Sequence, residues 1–198
     1  MTTDPVTGNQ LGTLTYRALY GRSASGQTEF AIVRTGSYVD YGFGGFVYER
    51  NGTDANGNTN QLVLPDEGDA EYRGDYAGIR VFNNRTGLEY VTGDAQMFVD
   101  FKDFNNDRRG VALYVTGRRL YDINGNDITQ PYLDALAASH PDAGSDTAPT
   151  LLVETDAQGN VLLPDLNPVI SPTSSDQNGE IVQEMRSYAD FSDGSLIE

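Results

Sequence analysis

The sequence predicts an all-β fold, an antiparallel barrel or sandwich, and three observations carry that expectation. Apolar and polar residues alternate with a period of two in segment after segment. The segments are separated by short Asn-Gly, Asp-Gly and Gly-rich stretches of the kind that close hairpins. The composition suits short strands and tight turns, with 22 Gly, 12 Tyr and 8 Phe and no Trp.

Residues 1–12, polar throughout most of their length, read as a flexible leader, and residues 13–198 as a single domain. In TLTYRALY (13–20), Leu14, Tyr16, Ala18 and Tyr20 share one face, which is expected to be the covered one, opposite Thr15 and Arg17. TEFAIVRTG (28–36) repeats the pattern, with Phe30 and Ile32 together. SYVDYGFGGFVYER (37–50) is a third strand region, aromatic and Gly-rich, and NGTDANGNTN (51–60) is a turn or mobile loop. In AEYRGDYAGIRVF (70–82), Tyr72, Gly74, Tyr76, Gly78, Arg80 and Phe82 fall on one face. Alternating large and small residues suit the curvature of a small barrel, so Gly74 and Gly78 are expected to matter more to stability than the loop glycine Gly57.

DAQMFVDF (94–101) sets Ala95, Met97, Val99 and Phe101 against Gln96, Phe98 and Asp100, and GVALYVTG (110–117) aligns Val111, Leu113 and Val115. A helix is expected in TQPYLDALAAS (129–139), with Thr129 as N-cap, Pro131 in the first turn, and Leu133, Leu136 and Ala137 at helical spacing. LLVE (151–154) and NVLLPDL (160–166) are short strands around a turn at 156–160. Residues 167–180 are polar with two prolines, so that 129–180 forms an irregular insertion. EIVQEMRSYADF (180–191) fits either a helix or a strand.

Thirteen basic residues against 29 acidic ones give a net charge of −16, a field that repels nucleic acid and anionic membrane surfaces and attracts basic proteins and divalent cations. Solubility in a salty medium explains the same charge without a partner. Without cysteine there is no disulfide, thiolate metal site or Cys nucleophile. No stretch approaches the ~18 consecutive apolar residues that span a bilayer. If the protein is exported, its signal has been removed from this chain.

Residues 68–121 resemble the β-barrel domain of bacterial surface lipoproteins of the transferrin-binding protein B type. The resemblance rests on Gly68, Ala70, Tyr72 and Gly74 in GDAEYRG, on Asp100 and Phe101 closing a strand in GDAQMFVDFKDFNNDRRGVALYVTG, and on GFGGFVYER upstream. It implies an eight-stranded, up-and-down antiparallel barrel, in which the helix read at 129–139 is one short helix in a late loop. It also implies a lipid-anchored, outer-membrane or secreted location, and binding of a protein or small ligand through variable loops. The matched positions are framework, so no binding residue is carried over. The family's Gly-rich aromatic closing hairpin has no obvious counterpart before Glu198. Three explanations stay open: a truncated chain, divergent closure by 180–198, or completion by a partner. The long first strand is therefore expected to pair with the segment Ile181–Ile197 or with a strand from a neighbouring subunit.

Asp103, Asn105 and Asp107 have the alternating oxygen spacing of a calcium loop, although Arg108 and Arg109 follow where further ligands belong. Asp122, Asn124 and Asn126 repeat it more weakly; a polar turn explains both. His140, the only histidine, reads as an exposed loop residue. Glu67, Asp69, Glu71 and Asp75 offer carboxylate pairs of the glycosidase kind, as any chain this acidic does. Tyr38, Tyr41, Phe43, Phe46 and Tyr48 form an aromatic cluster suited to an interface. The expectation is a binding protein rather than an enzyme, with no catalytic group and no cofactor beyond calcium at 103–107. A structural subunit completed by a neighbour's strand is the alternative.

Overall fold

In a computed structural model, the structure describes residues 2–3, 10–11, 16–35, 43–53, 56–59, 63, 65–82, 87–104, 108–175 and 181–197. Strands account for 55% of the chain, with a single helix among the described residues, so the fold is predominantly β with antiparallel sheets. In chain order the elements are β1 (Thr2–Thr3), β2 (Gln10–Leu11), β3 (Tyr16–Arg22), β4 (Thr28–Thr35), β5 (Gly44–Arg50), β6 (Asp69–Val81), β7 (Leu88–Phe104) and β8 (Arg108–Tyr121). They continue with α1 (Thr129–Ala138), β9 (Leu166–Ser175), β10 (Ile181–Ser187), β11 (Ala189–Asp190) and β12 (Leu196–Ile197).

These strands do not join into one closed eight-stranded barrel. They form a three-stranded sheet β3-β4-β5, a five-stranded sheet β10-β9-β8-β7-β6, and two small ladders, β1-β2 and β11-β12. Among the described residues β10 pairs with β9 and β11 with β12, and no ladder joins either of them to β3. The proposed leader contains a ladder, with Thr2 opposite Leu11. The prolines at 168 and 172 do not prevent a strand: β9 runs through both, with Pro168 opposite Met185 of β10.

The chain divides into two compact units, Met1–Val63 with Gly78–Tyr90 and Leu64–Ala77 with Val91–Glu198. The first unit contains the β3-β4-β5 meander. In β3 the alternation is as the sequence predicts, but its facing is inverted. Tyr16, Ala18 and Tyr20 are exposed, whereas Arg17, Leu19 and Gly21 are half-buried. Register explains the difference. Gly21 lies opposite Phe30, whose ring occupies the space where a side chain at Gly21 would go and so half-buries that position.

The second unit holds a core of Val91, Leu120, Leu133, Leu151, Leu163, Ala189 and Phe191. Helix α1 forms where the spacing predicts and buries Leu133, with Leu136 and Ala137 packed beside it. Thr129 is not the N-cap. It is the first helical residue, its hydroxyl accepts the Leu120 N–H at 2.9 Å, and its own N–H donates to the Asp127 carboxylate at 2.8 Å. On β7 Phe101 is buried and Phe98 exposed, as the alternation predicts, while residues 95–97, 99 and 100 of both predicted faces are half-buried. Gly74 does not relieve crowding, since nothing lies where its side chain would point.

Candidate functional site

Asn105 and Asp107 of the proposed calcium loop lie outside the described residues, and Asp103 is described only as part of β7. The weaker repeat is a turn. The Asp122 carboxylate accepts the N–H groups of Asn124 and Asn126, both at 2.8 Å, and the Asn126 side-chain amide at 2.8 Å. The loop closes through Asp122 N–H to Asn126 carbonyl and Gly125 N–H to Asp122 carbonyl, with Gly125 at a φ of 85°. Asp156 builds the same structure with Gln158, Gly159 and Asn160, and residues 191–195 repeat its backbone with Gly194. These are three-residue hairpin loops with a left-handed glycine at a fixed place. Asp122's oxygens satisfy turn donors, which accounts for its spacing without a cation.

The Asn126 side-chain amide and then its backbone N–H hold the Asp122 carboxyl below the usual aspartate range; Asn160 does the same for Asp156. A carboxyl whose pKa is lower folded than unfolded stabilises the fold above its unfolded value, and that contribution vanishes as pH falls through the folded value. Asp156→Ala therefore lowers the melting temperature at neutral pH, and the deficit shrinks on acidification below the ordinary aspartate pKa of about 3.9. A deficit independent of pH in thermal melts from pH 7 to pH 2 would contradict this.

His140 is buried, not exposed. Its ring rests on Phe191, with centroids 4.7 Å apart. Nδ1 accepts the Asp142 N–H at 3.2 Å, so in the neutral ring Nε2 carries the hydrogen and donates to Ser195 Oγ at 3.0 Å. Ser195 Oγ in turn donates to Asp193 at 2.6 Å. The serine sits between histidine and aspartate, and in this tautomer His140 has no lone pair to accept the Ser195 proton. A nucleophile triad needs the histidine in the middle, accepting from the serine and donating to the carboxylate. The network instead fastens the β11-β12 hairpin to the loop after α1. Sequence offers no signal for it, because the partners are 55 positions apart.

Of the acidic stretch, Glu71 is held by Arg73 at 2.6 Å and Gln96 at 2.7 Å. Asp75 lines a shallow cleft of about 490 Å³ with Asp94, Arg73 and Thr116. Tyr38 and Tyr41 lie outside the described residues. Phe43, Phe46 and Tyr48 are all exposed, Phe46 at 80% and Tyr48 at 58%.

A second cleft, of about 340 Å³, was not legible in the sequence. Leu152, Val153, Leu162, Leu196 and Tyr188 line it together with the acidic residues Glu154, Asp165 and Asp190. Its frame is backbone. Leu162 N–H donates to the Glu154 carbonyl at 2.9 Å and Leu152 N–H to the Asp190 carbonyl at 2.8 Å. Arg118 fixes the Pro164 carbonyl at 2.6 Å. Burial, then the neighbouring Glu154 charge, raises the Asp165 carboxyl above the usual aspartate range, against an opposing pull from Arg118.

Charge is divided as sharply as structure. The first unit contains six basic and six acidic residues, a balance of zero, and the second contains seven and 23, which is the whole −16. Among the described residues, no group of three or more His, Asp or Glu side chains is placed to hold a metal ion. No helix among the described residues is long and apolar enough to cross a membrane. No family model, curated protein or solved structure matches the chain.

Proposed function

We propose that this chain is an extracytoplasmic binding protein of the surface-lipoprotein kind whose second unit takes a basic partner, a cationic side chain entering the cleft of Glu154, Asp165 and Asp190. The observation that carries this reading is the confinement of the entire net charge to the unit that contains the cleft. Apolar walls beside carboxylates suit a lysine or arginine, whose alkyl stem packs while its head pairs. The crowding of Asp165 and Glu154 favours a cation between them. The resemblance of residues 68–121 supports the extracytoplasmic location.

Binding of a Lys- and Leu-containing peptide, followed by fluorescence anisotropy, is the test. The variant Glu154→Gln/Asp165→Asn/Asp190→Asn is expected to weaken binding about tenfold, roughly 1.4 kcal/mol. Asp134→Asn/Asp142→Asn/Asp146→Asn, with the same charge change elsewhere in the unit, changes it far less. Equal losses in the two variants would reduce the reading to a general acidic field, and absence of binding at low salt would overturn it. A second reading, an assembly subunit completed by a neighbour's strand, is favoured by the β3-β4-β5 sheet, in which β3 and β5 each have one side without a strand partner among the described residues.

A further inference from the structure

The outer side of β5 has a definite hydrogen-bonding pattern. Thr35 N–H donates to the Phe43 carbonyl and Asn51 N–H to the Gln27 carbonyl, at the two ends of the β4-β5 ladder. In an antiparallel pair such bonded positions alternate. Odd-numbered residues of β5 therefore turn their N–H and C=O groups toward β4. Gly44, Phe46, Tyr48 and Arg50 turn theirs to the other side, where no strand is placed among the described residues. The strand GGFVYER contains neither the lysine nor the proline that blunt exposed edges.

We infer that β5 pairs antiparallel with β5 of a second copy of this chain, centred on Val47. The strand is self-complementary in that register. Phe46 stands opposite the other copy's Tyr48, Glu49 opposite Gly45 and Arg50 opposite Gly44, so all seven residues pair and no like charges meet. Every outward-facing residue opposes another outward-facing residue, as a hydrogen-bonded pair requires. A shift of two residues in either direction shortens the ladder, and one such shift sets Phe46 against Arg50. A two-fold contact needs this kind of self-complementarity. The aromatic pair also covers side chains that stand far out in solvent, Phe46 at 80% and Tyr48 at 58%.

The charge distribution selects the same place. Two copies repel through the unit that carries −16, whereas the unit that carries β5 is balanced. The other open edge, β3, gains less: Leu19 and Gly21 are already half-buried, and Arg22 is paired with Glu29 at 3.0 Å. The inference is independent of the basic-partner reading, and salt separates the two. Screening weakens binding of a basic peptide but strengthens association of two like-charged copies.

The absence of native cysteine makes the register directly testable. Facing Val47 residues form a non-hydrogen-bonded pair with Cα atoms about 4.5 Å apart, within the range of a disulfide. Under mild oxidation Val47→Cys is expected to give a covalent dimer of the full chain, and Glu49→Cys, which faces glycine, is not. In sedimentation equilibrium the unmodified chain dimerises more tightly as salt rises, and Phe46→Lys weakens the dimer at least about tenfold, roughly 1.4 kcal/mol. A chain that stays monomeric from micromolar to high micromolar concentration at all salts overturns the inference. So does a dimer cross-linked by Leu19→Cys and not by Val47→Cys, which assigns the contact to β3.

Discussion

Phe191→Ala is expected to lower the stability of the second unit by about 3–5 kcal/mol, the usual cost of emptying a buried aromatic site. Phe191 is 1% exposed, and its ring supports that of His140. It also stands opposite Leu151, joining the β11-β12 region to the segment after α1. Against a typical total of about 5–15 kcal/mol, the loss is a large fraction. Its local signature is faster amide exchange at Leu152, bonded to the Asp190 carbonyl, and at Ser192, bonded to the Thr150 carbonyl. Leu196→Ala, at an exposed position in the same hairpin, is the control, with a change within about 0.5 kcal/mol. Denaturant unfolding that gives the two variants equal stability would show that the hairpin does not belong to the core.

Gly93→Val is expected to destabilise by about 1–3 kcal/mol through overpacking. A side chain there would begin 2.8 Å from the Thr116 carbonyl oxygen and 3.2 Å from the Val115 side chain. The carbonyl is backbone and cannot swing away. Gly74→Val meets open space and is expected to change stability by no more than about 0.5 kcal/mol. Gly57→Val places a branched residue at a φ of 80°, a conformation that costs L-residues roughly 1–2 kcal/mol. The ranking from thermal or denaturant melts is thus Gly93 worst, then Gly57, then Gly74, the reverse of the alternation-based expectation for Gly74 and Gly57. A neutral Gly93→Val would contradict the close approach of β7 and β8.

Alternation was enough to locate most strands, because period-two spacing is a local property. Which face is covered is not local. In β3 the tyrosines look like the buried set, and only the register with β4 places Phe30 over Gly21 and leaves Tyr16 and Tyr20 outside. β9 was unreadable as a strand because Pro168 and Pro172 remove backbone donors, which ordinarily argues against pairing. The helix was legible from its spacing, but Thr129's bond to Leu120 depends on β8. The carboxylate cleft draws on residues from 152 to 196, so no sequence window contains it. The paired turns were visible as DINGN and DAQGN, and their shared Asp-x-x-Gly-Asn pattern is the signal that identifies both as hairpin loops.

The membership of the second unit's core has a consequence for biosynthesis. Val91 and Phe191 lie in one cluster although 100 residues separate them. A ribosome therefore extrudes β7 and β8 long before the side chains that complete their packing exist. Contacts of such high sequence separation slow folding and prolong the lifetime of unpaired strands. The nascent unit must wait, with Leu120 and Leu133 incompletely covered, until residue 191 has been added. The many carboxylates spread through this unit give the waiting chain a mutual repulsion that opposes aggregation during that interval.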